Sequence, residues 1–247
     1  MKKIIFLGSK PIGYKCLEYL IKNSGDLDII LDGVLTNDNI NFASSLSIKS
    51  ICKKNNIRII ENLDKLLSLK DIDILISVQY HKILKKCHID IARDISINLH
   101  MAPLPEYRGC NQFSFAILNN DAIFGTTIHR LEEGIDSGSI IAEKRFNIPK
   151  NCFVDELYNL TFKKSLKLFK EEICNIISSN FTLTPQETFL GKRNLSLHYR
   201  KEIKDIKKIN LSWDKEKIER HIRATAMPGF DPPYAYIGNE KINIIRE

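Results

Sequence analysis

Lys2-Lys3-Ile4-Ile5-Phe6-Leu7-Gly8-Ser9-Lys10-Pro11-Ile12-Gly13 opens the chain, and its reading sets the fold. Four consecutive apolar residues, Ile4 to Leu7, stop at Gly8-Ser9, and over residues 11–21 apolar side chains then recur every three or four positions. That pattern is a strand buried on both faces running into an amphipathic helix. Proline is tolerated in the first helical turn, so Pro11 marks the start of that helix. The alternation repeats along the chain. Residues 29–35, 59–60, 72–78 and 95–99 read as further buried strands, and residues 42–54, 63–69 and 82–92 carry helical spacing. Strands alternating with helices predict a doubly wound α/β fold with a mostly parallel sheet.

Composition agrees with a packed fold. Of 247 residues 43% are hydrophobic and 27% charged, with only 11 glycines and 8 prolines, which excludes a disordered or collagen-like chain. This length suits one large domain and an appendage. Apolar spacing over residues 153–177 predicts a long helix closing a first domain, residues 1–181. Residues 182–187, Thr-Leu-Thr-Pro-Gln-Glu, read as a linker to a small module, residues 182–247. The module is expected to hold one helix over residues 214–225 and a hairpin of residues 234–237 and 241–245 joined at Gly238-Asn239. The net charge of +7 is regional, since residues 192–223 hold eleven basic residues against five acidic ones. Such a face suits a phosphorylated partner or is simply solvated. The six cysteines have no CxxC spacing, which argues against zinc and against a disulfide framework and predicts reduced thiols. The first apolar run is too short for a signal peptide or membrane span, so a cytoplasmic protein is expected.

In a doubly wound sheet, ligands bind where strands end at their carboxyl edge, here just after Val78 and Leu99. Gly8 to Gly13 sits where a nucleotide loop would sit, but it is neither GxGxxG nor GxxxxGK[ST], and a tight βα turn accounts for it. Strand alternation places Asn98 and His100 on one face at the end of a buried strand, followed by prolines that fix the next loop. Two polar side chains there point to a site. Glu106 to Asn111 follow as a loop in which Asn111 is placed to cap a helix over residues 112–119. A strand over residues 126–131 then leads into Glu132-Glu-Gly-Ile-Asp136-Ser-Gly138. From position alone, Asp136 is either a turn aspartate bonding its own backbone or a functional carboxylate. A Cys110–His100 nucleophile pair lacks any supporting motif.

Asn98-x-His100, then Pro103-Leu104-Pro105-x-Tyr107-Arg108-Gly109, then Asp136-Ser137-Gly138, in this order, resemble the folate-dependent formyltransferase family, over residues 2–141. The resemblance implies a Rossmann-like domain that binds 10-formyltetrahydrofolate and passes its formyl group to an amine, with Asn98, His100 and Asp136 as catalytic triad. These residue types suit that chemistry independently. The amine must lose a proton, for which His100 can serve as base; Asn98 can donate to the developing oxyanion, and Asp136 can orient the imidazole. No metal is required. By the same resemblance the loop of Gln79, Tyr80, His81 and Ile83 borders the folate, with Arg108 beside it and Leu131, Glu133 and Asp136 as the other wall.

The acceptor is less directly implied. Ile222-Arg223-Ala224 with Pro228-Gly229 resembles a region of methionyl-tRNA formyltransferases, but only about sixty residues follow the linker. Glycinamide ribonucleotide transfer and hydrolysis of the formylated folate resemble it less. The sugar-nucleotide N-formyltransferases match best, which implies a dTDP-linked 4-amino-4,6-dideoxyglucose as acceptor, a 3-amino sugar next, and a role in lipopolysaccharide O-antigen synthesis. Lys82, Tyr107 and His129 then lie on the substrate side, Lys192 and Arg193 neutralise a pyrophosphate, and Phe230 or Tyr234 stacks on the base. The terminal hairpin would build a homodimer. Neither a nucleic acid nor a membrane is expected as a partner. The competing class is a non-catalytic nucleic-acid-binding module using the basic face.

Overall fold

The computed structural model describes residues 1–37 and 46–246. Its centre is one six-stranded sheet in the order β2-β1-β3-β4-β6-β7. The strands are β1 (Lys2–Gly8), β2 (Ile29–Thr36), β3 (Ile72–Val78), β4 (Ala92–His100), β6 (Ile123–Arg130) and β7 (Ile140–Asn147), with a short β5 (Arg108–Gly109) outside the sheet. The first four run parallel, whereas β6 and β7 pair antiparallel beyond β4. The chain is therefore the expected mostly parallel α/β fold. The sequence of crossovers reverses between β1 and β3, so the carboxyl ends of those two strands lie side by side.

The alternation of β1 shows how the layers form. Ile4 and Phe6 point into one apolar cluster and Ile5 and Leu7 into another, all fully buried. The first cluster is covered by α1 (Lys10–Lys22), α2 (Ile48–Lys54) and α6 (Val154–Ile177), through Leu17 and Leu20, Cys52, and Phe169, Ile173 and Ile176. The second is covered by α3 (Leu63–Leu67) and α4 (Lys86–Ile89), through Leu66 and Ile89. Each such buried side chain is worth about 1.5–3 kcal/mol, so both faces of β1 are anchored before any polar contact is counted.

Three expectations need correction. The pair Ile59-Ile60 contributes a single bridge to Val34, not a strand. The helix expected over residues 82–92 shrinks to the one turn of α4, because Ala92 already opens β4 and Ile83 stands 71% exposed. Helical spacing from residue 42 is observed only from Ile48, and residues 42–45 lie outside the described residues.

The segment after residue 181 is stitched to the first unit. Thr184 exchanges both backbone hydrogen bonds with Ile140 on the edge strand β7. Next, β8 (Leu197–His198) pairs in parallel with β5. After α7 (Ile203–Ile206), α8 (Lys215–Thr225) buries Ala224 in a third cluster with Tyr107, Ala116, Phe124 and Leu157. That cluster also packs α5 (Gln112–Leu118). Asp214 caps α8 by accepting from the Lys217 N–H at 2.8 Å. The hairpin of β9 (Tyr234–Ile237) and β10 (Glu240–Asn243) turns at Gly238, whose φ of 58° only glycine adopts without strain. Among the described residues no helix is long and apolar enough to cross a membrane.

Candidate active site

β4 is flanked on both sides, with Asn98 opposite Ser77 of β3 and opposite His129 of β6. Its last turn of pleat presents Asn98 and His100 on one face, as the alternation predicts. His100 is buried, and its Nε2 lies 2.7 Å from the carbonyl oxygen of Tyr107. A carbonyl can only accept, so Nε2 carries the hydrogen and Nδ1 is left facing Asp136 Oδ2 at 3.5 Å.

Asp136 arrives from the turn after β6 in a left-handed conformation, φ 47°. Its Oδ2 also accepts from the backbone N–H of Gly109 at 2.9 Å. Its Oδ1 lies 3.4 Å from both Asn98 Nδ2 and His129 Nε2. Burial by itself would raise the Asp136 pKa, but the charge of His100, the bond from His129 and the Gly109 N–H together hold the carboxyl well below the ordinary carboxylate range. Asp136 is therefore the permanent negative charge of the cluster, and it does not merely bond its own turn. His129 places Nδ1 at 2.8 Å from the Arg130 carbonyl, which turns Nε2 toward Asn98 Nδ2 at 3.2 Å. His129, expected on the substrate side, is thus wholly buried against the Asn98–Asp136 pair.

Two glycines make the cluster possible. Gly109 has φ 86°, and a Cβ there would meet the His198 carbonyl at 2.3 Å; at Gly138 it would meet the Arg130 carbonyl at 1.9 Å. These are the glycines of the Arg-Gly and Asp-Ser-Gly elements, and close backbone approach is the reason for both.

The loop after β3 and the turn after β6 meet on one apolar cluster. Tyr80 and Leu131 pack on the same apolar cluster, Ile83 is exposed, and Glu133 lies exposed at the rim. His81 keeps a buried Nδ1 that has no hydrogen-bond partner among the described residues. Gln79 (φ 52°) accepts from Lys10 Nζ at 3.0 Å. Lys10 itself was not singled out in the sequence. Burial, and then the nearby Arg200 charge, push its ammonium pKa down, while burial, Lys82 and Arg200 lower that of His81. Lys82 is exposed. Among the described residues no group of three or more His, Cys, Asp or Glu could hold a metal ion.

Other expected residues are engaged elsewhere. Arg108 donates from Nε and Nη2 to Gln186 Oε1, at 3.0 and 2.7 Å. Tyr107 is buried with its hydroxyl bonded to Asp121 and Asn119. Arg193 grips both carboxylate oxygens of Glu143, at 3.1 and 3.0 Å, and the Leu104 carbonyl at 2.8 Å, so its guanidinium is a structural tie. Lys192 stays exposed. Tyr234 lies under Lys241, whose Nζ is 4.1 Å from the ring centroid, and edge-on to Tyr236 in the hairpin, while Phe230 is 56% exposed. Asn111 holds the capping position of α5 at φ 59° but sends its amide to the Tyr199 carbonyl at 2.9 Å.

The sequence model of the formyl transferase family matches residues 35–173, which contain Asn98, His100 and Asp136. The chain belongs to the formyl transferase family. Among solved structures this formyl transferase is similar to the N-formyltransferase from Helicobacter canadensis in complex with folinic acid and dTDP-3-aminofucose. That likeness is 28% identical with TM-score 0.79 and covers 98% of this chain and 86% of that one. It is also similar to WlaRD, a sugar 3N-formyl transferase solved with dTDP and 5-N-formyl-THF: 31% identity, TM-score 0.79, 98% of this chain and 85% of that one. Among curated proteins it is 27% identical over 224 residues to the methionyl-tRNA formyltransferase of Clostridium tetani, covering 85% of this chain and 72% of the relative.

Proposed function

We propose that this formyl transferase moves the formyl group of 10-formyltetrahydrofolate to the amine of a nucleotide-linked amino sugar, with Asn98, His100 and Asp136 as its catalytic residues. The observation that carries the reading is the Asn98–His100–Asp136 cluster at the carboxyl end of β4, with His100 buried and Asn98 and Asp136 partly buried, in a chain of this family. The folate supplies a formyl group already activated on its nitrogen. The walls suit such a group: apolar Tyr80, Leu131 and exposed Ile83 offer a surface for a flat ring, and the orphaned Nδ1 of His81 offers a polar contact at its edge.

The roles follow from which atoms are occupied. His100 Nε2 is committed to the Tyr107 carbonyl, so Nδ1 is the nitrogen that takes a proton from the attacking amine. Asp136, ionised throughout, stabilises the positive charge His100 then carries. The Asn98 amide keeps its 3.2 Å contact with His129 and exchanges its long 3.4 Å bond to Asp136 for the formyl oxygen, on which it meets the developing negative charge. Two similar structures above a quarter identity are a sugar 3N-formyl transferase and an N-formyltransferase in complex with dTDP-3-aminofucose, which favours a dTDP-3-amino sugar over the 4-amino sugar expected from the sequence. With Arg193 tied to Glu143, exposed Lys192 supplies positive charge for the diphosphate. The hairpin, with Tyr236, Ile237 and Ile242 exposed, pairs two copies, and a sedimentation run showing only a 28.4 kDa particle at micromolar concentration removes that part.

The test follows tetrahydrofolate release from 10-formyltetrahydrofolate with dTDP- and UDP-linked 3- and 4-amino sugars and methionyl-tRNA as acceptors. Turnover dependent on a dTDP-3-amino sugar supports the reading. Release with no acceptor, or turnover on methionyl-tRNA alone, overturns it.

A further inference from the structure

Gln186 is 2% exposed, although the stretch around it reads as a linker. Its carboxamide is fully occupied. Nε2 donates to the carbonyl oxygens of Asp136 at 2.8 Å and Gly138 at 2.7 Å, while Oε1 accepts two bonds from Arg108, at 3.0 and 2.7 Å. A primary amide has two N–H groups and one oxygen with two lone pairs, so every position is used. Two residues earlier, Thr184 is bonded in both directions to Ile140, both bonds 2.8 Å long, which fixes where the Gln186 backbone enters.

What Gln186 holds is the catalytic carboxylate's own support. Asp136 sits in the left-handed region, which a non-glycine residue adopts at a cost and keeps only when its surroundings impose it. Its carbonyl is tied to Gln186 and its Oδ2 to the N–H of Gly109, the residue after Arg108, which is in turn tied to Gln186. A closed ring of bonds therefore runs Gln186–Arg108–Gly109–Asp136–Gln186. Without the amide, the turn carrying Asp136 keeps its covalent ends but loses both carbonyl anchors, and Arg108 is left without its acceptor.

We propose that Gln186 is a positioning residue for formyl transfer, setting the place of the Asp136 carboxylate opposite His100 without touching the reacting atoms. The inference rests on the reading of that cluster as catalytic. It makes the segment after residue 181 part of the active centre rather than a tether.

The experiment uses the full-length protein with Gln186→Ala and Gln186→Glu. Glutamate keeps the volume and an acceptor for Arg108 but cannot donate to the two carbonyls, so it tests the clamp even where alanine fails to fold. Both variants are expected to lower kcat about 10- to 100-fold, the scale of a small misplacement of a catalytic group, with KM for both substrates within about threefold. Wild-type kcat in a folded Gln186→Glu protein overturns the proposal. In an Asp136→Asn background Gln186→Ala should cost less than about twofold, since the group it positions has lost its charge; an equal cost in both backgrounds assigns a general structural role and overturns it. Hydrogen exchange at the Gly109 amide reads the clamp without the reaction. It should quicken at least about tenfold in both variants, and unchanged exchange overturns the clamp. Failure of the wild type to formylate any amino sugar would sink the functional reading alone, with Gly109 exchange still deciding on the clamp.

Discussion

His100 donates its Nε2–H to the Tyr107 carbonyl at 2.7 Å, and this one bond decides which ring nitrogen can do chemistry. Because the acceptor is a backbone carbonyl, no side-chain substitution at residue 107 removes it, and Nδ1 remains turned to Asp136. The consequences can be separated experimentally.

Replacing His100 with Asn removes the proton acceptor while leaving the folate walls in place. Turnover should fall by roughly two to four orders of magnitude with folate binding nearly unchanged, as measured by single-turnover kinetics and folate titration. Turnover equal to wild type would remove His100 from the role of base.

Tyr107→Phe separates the carbonyl from the hydroxyl. The hydroxyl serves Asp121, a carboxyl whose pKa burial pushes up, and accepts from Asn119 at 3.0 Å. Its loss leaves a half-buried carboxylate without a donor, so stability should drop by about 1–3 kcal/mol in urea unfolding. The kcat and the sugar KM should stay within about threefold. A large rise in KM would instead make the hydroxyl a substrate contact.

Asp136 gives a pH-dependent signature. Its folded pKa is depressed, so its stabilising contribution is complete above the unfolded carboxylate value, about pH 4, and is lost as the pH falls toward the folded value. The stability gap between wild type and Asp136→Asn should therefore shrink below about pH 4. Denaturant unfolding between pH 7 and pH 3 measures it, and a gap that stays constant contradicts the assignment.

Two neighbouring cations should behave differently. Arg193→Ala breaks its pair with Glu143 and the bond to Leu104, and should cost about 1.5–3 kcal/mol of stability. Exposed Lys192→Ala should leave stability within about 0.5 kcal/mol and raise the KM of the sugar nucleotide. The reverse pattern, measured by thermal melts and initial rates, would return Arg193 to the substrate side.

Much of this architecture is a local property of the chain. A two-residue period places Asn98 and His100 on one face whatever surrounds them, and unbroken apolar runs such as Ile4–Leu7 have no stable place except inside a covered sheet. Hence the α/β fold and the pairing of Asn98 with His100 at a strand end were legible from sequence. The stretch of residues 82–92 misled, because its apolar spacing was shared between a loop holding exposed Ile83 and the start of β4. The partners of polar groups are not local. Arg193 is held by Glu143 and Arg108 by Gln186, 50 and 78 residues away, and His129 is buried because strand register sets it opposite Asn98. Composition gives an arginine the same donors in either setting; only the tertiary structure decides whether a substrate or the protein receives them.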